Sequence, residues 1–297
     1  MDNITIDSKP EPKYKDRLFR MIFGQNNKQS AKWRLELYNA LSEKHHTNPD
    51  DLQLTTIENA IYITMKNDIS FLVDSQMTLY EHQSTFNKNM PLRGLLYFSQ
   101  LYQMYLSKEG KDLFGAQVKI PSPRYIVFYN GDRKLPEKSE LRLSDSFIDF
   151  NGKGDFEWTA TILNINKDYN KTIQKTCKPL YDYIRYVDRI KVNQKRGMSI
   201  KEAVEEAVNY AISENFLEGF FREQRAEVTA MSLTEFDQEN YDKNRRREGF
   251  EEGEHSKTIE IAKNLIKMKL GTYEQIAQAE GITVEEVKRI AEEINNS

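Results

Sequence analysis

The segment NDISFLVDSQMTLYEHQS, residues 67–84, constrains the fold more than any other part of this chain. Two runs rich in β-branched and aromatic residues flank a polar break at Asp74 and Ser75, a pattern that predicts a β-hairpin. Residues directly opposite each other in an antiparallel pair share one face of the sheet. If the turn is centred between Asp74 and Ser75, counting outward from it sets Asp68 opposite Glu81.

The predicted hairpin therefore brings two acids together, and Gln83 lies on the same side because strand side chains alternate between faces. Two unit charges roughly 4 Å apart repel by about 4 kcal/mol at an effective dielectric constant near 20. A raised pKa on one acid, a neighbouring Lys or Arg, or a bound divalent cation can offset this repulsion. Oxygen ligands of this kind suit Mg²⁺ or Mn²⁺. The alternatives are a solvated acid at a strand edge, or a turn of odd length that separates Asp68 from Glu81.

The other segments predict a mixed α/β sheet with helices packed on it. Apolar residues at helical spacing predict two helices within 13–44 and one within 89–111. The apolar stripe of that third helix consists of Leu92, Leu96, Leu101 and Tyr105. Strand-like runs predict three strands within 58–84 and two more at 121–131 and 156–166. The remainder of the chain has helical periodicity.

Composition divides the chain into four parts. These are a disordered lead-in at 1–12, a main α/β domain at 13–235, a charged linker at 236–256 and a small helical bundle at 257–297. The bundle has the residue pattern of a helix-turn-helix motif, with core and turn positions at Ile276, Ala277, Gly281, Val287 and Ile290. The helix of this motif that would enter DNA, VEEVKRIAEE, carries four glutamates against two cations, which favours a protein-contact or accessory module over reading a DNA groove.

Net charge and cysteine content limit the partners and the cellular location that we expect for this protein. The formal net charge is −3 at pH 7, so any anion-binding surface must be local. A single cysteine, Cys177, excludes an internal disulfide and favours a cytoplasmic location. We expect Cys177 to be a packed thiol rather than a nucleophile, and His45 and His46 to be solvated. No stretch has the length and apolar character of a membrane span, so no membrane partner is expected.

Four segments carry a resemblance to a known family: NDISFLVDSQMTLYEHQSTFNKNMPLRGLLYF, YIVFYNG, LRLSDSF and LNIN. Together they resemble the recombination-promoting nuclease/transposase (Rpn) family of the PD-(D/E)XK nuclease superfamily, and the likeness runs from about Lys13 into the 230s. The resemblance implies a restriction-endonuclease-like mixed sheet flanked by helices, with a helical C-terminal extension. It also implies that Asp68 and Glu81 are ligands of Mg²⁺ or Mn²⁺. Gln83 takes the place of a lysine that orients the attacking water, without the charge of that lysine.

The activity implied by this resemblance is metal-dependent hydrolysis of DNA phosphodiesters by an endonuclease. The run KDRLFRMIFG matches the opening signature of the family, which makes Asp16 a further catalytic acid, with Glu36 in reserve. The candidate phosphate contacts are Arg93, Lys66 and Lys88.

Three alternatives accompany this hypothesis. Arg93 is equally compatible with a salt bridge to the acid cluster. His82 could serve as a general base, but its strand position points it away from the acids and favours a packed histidine. The chain could also be a catalytically weakened DNA-binding or protein-interaction scaffold of the same fold. Cleavage of both DNA strands often requires two active sites, so the nuclease hypothesis is compatible with a homodimer.

Overall fold

The computed structural model describes residues 17–42, 44–55, 69–148 and 155–295, apart from the side chains of 238–256 and Asn295. Over these residues the protein is α/β, with a mixed six-stranded sheet flanked by helices. The predicted mixed α/β architecture is therefore confirmed. The predicted lead-in at 1–12 and the first of the three strands predicted within 58–84 lie outside the described residues.

The six strands of the described sheet have the spatial order β1-β2-β3-β4-β6-β5. They are β1 Gln53–Leu54, β2 Ile69–Val73, β3 Gln76–Gln83, β4 Ser122–Tyr129, β5 Lys138–Arg142 and β6 Thr159–Asn164. Strands β3, β4 and β6 are parallel neighbours, whereas β1, β2 and β5 pair antiparallel with the strands beside them. Strand β5, an edge strand of alternating exposed and half-buried residues, was not predicted.

The β2–β3 hairpin has the register that the sequence predicts. Asp74 and Ser75 both have positive φ values, 47° and 59°, which is the conformation of a two-residue turn of type I′. Ile69 pairs with Tyr80 at the open end of the described ladder. Asp68, the next residue outward, lies outside the described residues.

Helices cover both faces of the sheet. One face packs against α1 (Arg17–Phe23), α2 (Lys28–Leu41) and the helices between β6 and Asp237, and it receives the even-numbered side chains of β3. The other face packs against α3 (Met90–Lys108) and receives the odd-numbered ones. The next five α-helices after β6 are α4 Lys171–Thr176, α5 Lys178–Lys195, α6 Ile200–Ser213, α7 Phe220–Glu223 and α8 Arg225–Lys267.

Helix α3 confirms only half of the predicted apolar stripe. The prediction included Leu92 and Leu96, but these side chains are 42% and 39% exposed. Leu101 and Tyr105 of the same prediction do pack on the sheet side, together with Tyr97 and Phe98. Because apolar residues occur on more than one side of this helix, helical spacing alone did not identify the buried side.

The chain divides into two compact units between Asp237 and Gln238, a position that lies within α8. In the second unit α9 (Tyr273–Glu280) and α10 (Val284–Asn295) pack together. Gly281 ends α9 in the left-handed region, with φ 65°. The core of this unit contains Ala262 and the four residues that the sequence assigned to it, namely Ile276, Ala277, Val287 and Ile290. None of the helices described here combines the length and apolar character needed to cross a bilayer.

Candidate functional site

Glu81 lies near the end of β3 on the face covered by α3, and only 2% of its surface is exposed. Its Oε2 atom lies 3.4 Å from Nη2 of Arg93, which belongs to the first turn of α3. Its Oε1 atom is buried and has no hydrogen-bond partner among the described residues. Glu81 is therefore a buried, half-satisfied carboxylate rather than a solvated acid at a strand edge.

Burial and the neighbouring polar groups have opposing effects on the pKa values of Glu81 and Arg93. Burial raises the pKa of Glu81 above its ordinary value, and the guanidinium of Arg93 and the hydroxyls of Tyr125 and Tyr97 only partly counteract this. Burial acts to lower the pKa of Arg93, but the charge of Glu81, together with Tyr97 and Tyr125, outweighs this effect and holds that pKa above its ordinary value. Arg93 is therefore a permanent positive charge beside Glu81.

Gln83 shares the face of Glu81, as the alternation along the strand predicts. In the amide orientation that satisfies both of its polar groups, Oε1 accepts a hydrogen bond from Nη1 of Arg93 at 3.1 Å. In the same orientation Nε2 donates to the backbone carbonyl of Thr85 at 3.0 Å. Arg93 consequently connects the two candidate side chains of β3.

Two tyrosines complete the surroundings of Glu81, and the sequence did not predict either. Nη2 of Arg93 donates to the hydroxyl of Tyr97 at 3.4 Å, one helical turn further along α3. Tyr125 comes from β4, and burial raises the pKa of its phenol well above the ordinary value. The four-residue spacing from Arg93 to Tyr97 could have indicated the first contact. Tyr125 has no comparable local signal, since parallel strand pairing brings it to the site.

Gly94 allows α3 to pack this closely on the sheet. A Cβ atom at this position would lie 2.4 Å from Cε1 of Tyr125 and 2.9 Å from Nε1 of Trp158. Carbon atoms in proteins do not approach each other so closely, so only glycine fits between helix and ring. Gly94 therefore permits the close packing of α3 on the sheet that brings Arg93 next to Glu81.

None of the other predicted site residues is seen beside Glu81 in the described part of the chain. Asp68, Asp16 and Lys66 lie outside the described residues. Lys88 is exposed, two residues before α3. The reserve acid, Glu36, is not brought to the site, since α2 packs on the opposite face of the sheet.

His82 points away from Glu81, as predicted. Its ring stacks on Phe19, with centroids 5.1 Å apart, and its Nε2 atom lies 2.9 Å from the hydroxyl of Tyr183. Cys177 is also buried as predicted, and burial raises the pKa of its thiol to about 12. Neither side chain is placed to act on a substrate beside Glu81.

The prediction that His46 is solvated is wrong. Its Nδ1 atom lies 3.1 Å from Oδ2 of Asp51, and its Nε2 atom lies 2.8 Å from Oδ2 of Asp74. The side chain is only 15% exposed, because the hairpin turn and the segment after α2 enclose it. His45 is exposed, as expected.

Within the described parts of the chain, no three His, Cys, Asp or Glu side chains are grouped so that they could hold a metal ion. The ligand set implied by the family resemblance includes Asp68, and only its partner Glu81 is described. Comparisons of the chain with protein-family models, with curated proteins and with solved structures found no match.

Proposed function

We propose that this protein is a metal-dependent DNA endonuclease with a restriction-endonuclease-like fold, as its resemblance to the Rpn family implies. The observation that carries the proposal is the buried Oε1 atom of Glu81, which has no hydrogen-bond partner within the described part of the chain. A buried carboxylate oxygen without a donor is costly, and a bound cation is one of the few groups that removes that cost. The mixed sheet, with an antiparallel hairpin followed by parallel strands, is compatible with the proposed fold.

The donor chemistry at Glu81 fits a hard divalent cation, which prefers carboxylate oxygens. Glu81 and Asp68 would hold Mg²⁺ or Mn²⁺, with Asp16 as a further acid. The described hairpin register, continued outward by one residue, would set Asp68 opposite Glu81. When bound, such a cation supplies an acidified water and shields the charge that develops on the phosphate.

The other side chains of the pocket would orient the reactants. After its bond to Thr85, the amide nitrogen of Gln83 retains one N–H, which would donate to a water molecule. Gln83 carries no charge and cannot lower the pKa of that water as a lysine would. Arg93 has a buried Nε without a partner among the described residues, and it would supply positive charge to a neighbouring phosphate.

A second candidate function is a scaffold of the same fold that binds DNA or protein without cleaving it. The observation that favours it is the ion pair itself, because Arg93 already neutralises the charge of Glu81. In a scaffold the pair would only stabilise the packing of α3 on the sheet. The two candidates differ in whether Glu81 is needed for chemistry.

A plasmid-nicking assay separates the two functions. We expect wild-type protein to nick supercoiled DNA with Mg²⁺ or Mn²⁺ and to lose this activity in EDTA. Glu81→Gln and Asp68→Asn, which preserve side-chain size, should abolish nicking. Glu140→Gln, on the exposed edge strand β5, is the matched control and should retain it. Absent cleavage, or cleavage that persists in EDTA and in Glu81→Gln, would contradict the nuclease proposal, and absent cleavage would favour the scaffold.

A further inference from the structure

The loops that follow β3 and β4 meet at one edge of the sheet, because these two strands are parallel neighbours. Glu81 lies two residues before the end of β3, so these loops border the candidate site. Ligands of open α/β sheets bind outside the carboxyl ends of the parallel strands. The side chains of these two loops are therefore placed to contact whatever reaches Glu81.

Arg133, in the loop after β4, is held in a defined position at this edge. Its backbone N–H donates to the hydroxyl of Tyr129 at 2.9 Å. Two residues earlier, a Cβ atom on Gly131 would lie 2.0 Å from the carbonyl oxygen of Ser84, so the two loops approach as closely as glycine permits. The ring of Phe86 packs edge-on against Tyr129. The backbone around Arg133 is thus fixed against the loop that follows β3.

The guanidinium of Arg133 stacks on Phe86, with Cζ 4.6 Å from the ring centroid. Arg133 is exposed and, over the described residues, forms no salt bridge. Two other cations near this edge are already paired, since Arg93 contacts Glu81 and Lys191 lies 3.6 Å from Asp132. A stacked guanidinium keeps its N–H edge available and loses little conformational freedom when it binds.

We propose that Arg133, supported by Phe86, is a phosphate-binding residue that holds the backbone of a nucleic acid beside Glu81. This inference rests on the proposed nuclease function and identifies a substrate contact for it. Planar guanidinium groups bind phosphate oxygens through two parallel hydrogen bonds. A contact to the backbone carries no base information, so it strengthens binding equally for all sequences.

Fluorescence anisotropy with labelled duplex DNA tests this contact, with EDTA present so that the proposed cleavage does not occur. We expect Arg133→Gln to weaken binding several-fold and equally for two unrelated sequences. The slope of log affinity against log salt should become shallower by about 1, which corresponds to one lost phosphate contact. Phe86→Leu should weaken binding less, because it removes only the stacking support. Arg142→Gln, on the exposed edge strand β5, is the control and should bind like wild type.

The possible results separate this inference from the proposed function. If wild type binds DNA and Arg133→Gln has the same affinity and salt slope, the role of Arg133 is wrong and the nuclease proposal stands. If wild type neither binds nor nicks DNA, both proposals are wrong. Thermal unfolding by circular dichroism of each variant shows whether a loss of binding reflects a loss of structure, and we expect no change in melting temperature for Arg133→Gln.

Discussion

The guanidinium of Arg93 lies 3.4 Å from the carboxylate of Glu81 in a pocket where the acid is almost completely buried. One partner belongs to the sheet and the other to the first turn of α3, so the pair joins these two layers. The same guanidinium also donates to Gln83. Removing either partner therefore affects both the packing of α3 and the charge of the candidate site.

Substitution of Arg93 by methionine should destabilise the protein by about 3 kcal/mol or more, because it leaves a buried carboxylate without its counter-ion. Equilibrium unfolding in urea measures this change. Arg93 lowers the pKa of Glu81, so without it the pKa of Glu81 rises further above its value in the unfolded chain. The folded state then binds more protons than the unfolded one above the unfolded pKa, and stability falls as pH rises through that interval.

The double variant Arg93→Met/Glu81→Gln is the control for this prediction. Because it removes both charges, its loss of unfolding free energy should be smaller than the sum of the losses in the two single variants. Its unfolding free energy should also lose the additional pH dependence of Arg93→Met. Additive effects of the two substitutions would show that the pair is not coupled.

Gly94→Ala should destabilise the protein although alanine is the better helix former by about 0.5–1 kcal/mol. The new methyl group would come within 2.4 Å of the Tyr125 ring, and relieving this overlap requires α3 to move. We expect a net loss of about 1–3 kcal/mol, as for other overpacked cores. Thermal unfolding measures it, with Gly115→Ala as the control because a Cβ there meets nothing within 4 Å. Equal stability of the two variants would mean that α3 accommodates the methyl group freely.

Local patterns in the sequence predicted the hairpin, but they did not predict which residues surround Glu81. The break at Asp74 and Ser75 and the flanking strand-like runs lie within one short segment, so the register that pairs Ile69 with Tyr80 could be predicted. Tyr125 reaches Glu81 only because β4 pairs with β3 in parallel, after an intervening helix. No pattern near Glu81 indicates that partner.

The other differences from prediction also arise from tertiary structure. Strand β5 has no apolar run because it is an edge strand paired with β6 alone. His46 is enclosed by Asp51, which is close in sequence, and by Asp74, which the hairpin brings from 28 residues away. A polar loop containing two adjacent histidines gave no signal of this arrangement. The sequence therefore predicted the hairpin, whose register is local, but not these contacts, which depend on chain topology.

Asp182→Ala should unfold more readily than wild type because Asp182 supports a strained turn. Its buried carboxylate accepts the backbone N–H of Leu217 at 2.9 Å, and Leu217 and Glu218 both have positive φ values, 50° and 55°. Left-handed backbone is costly for residues other than glycine. Loss of a hydrogen bond to a charged acceptor should cost about 2–3 kcal/mol in urea unfolding. The control is Asp188→Ala, because Asp188 lies on the same helix as Asp182. It removes only a partly exposed ion pair with Lys167 and should cost less than about 1 kcal/mol.

The histidine at position 46 should make stability depend on pH. Both ring nitrogens face carboxylates, on Asp51 and Asp74, and only the imidazolium can donate to both. The hydrogen bond to Asp51, followed by that to Asp74, raises the pKa of His46 above its ordinary value of 6.5 despite the opposing effect of burial. The folded state therefore holds the proton more tightly than the unfolded chain. The stabilisation is fully present below the unfolded pKa and is lost as pH rises through the folded pKa.

Comparison of wild type with His46→Gln tests this dependence, since glutamine does not titrate. The difference in unfolding free energy should favour wild type near pH 6 and shrink by about pH 9, and an NMR titration should place the pKa of His46 above 6.5. His45→Gln, at the exposed neighbouring position, should leave the pH profile of wild type unchanged. A constant difference between wild type and His46→Gln across this interval would show that the imidazolium does not bridge the two acids.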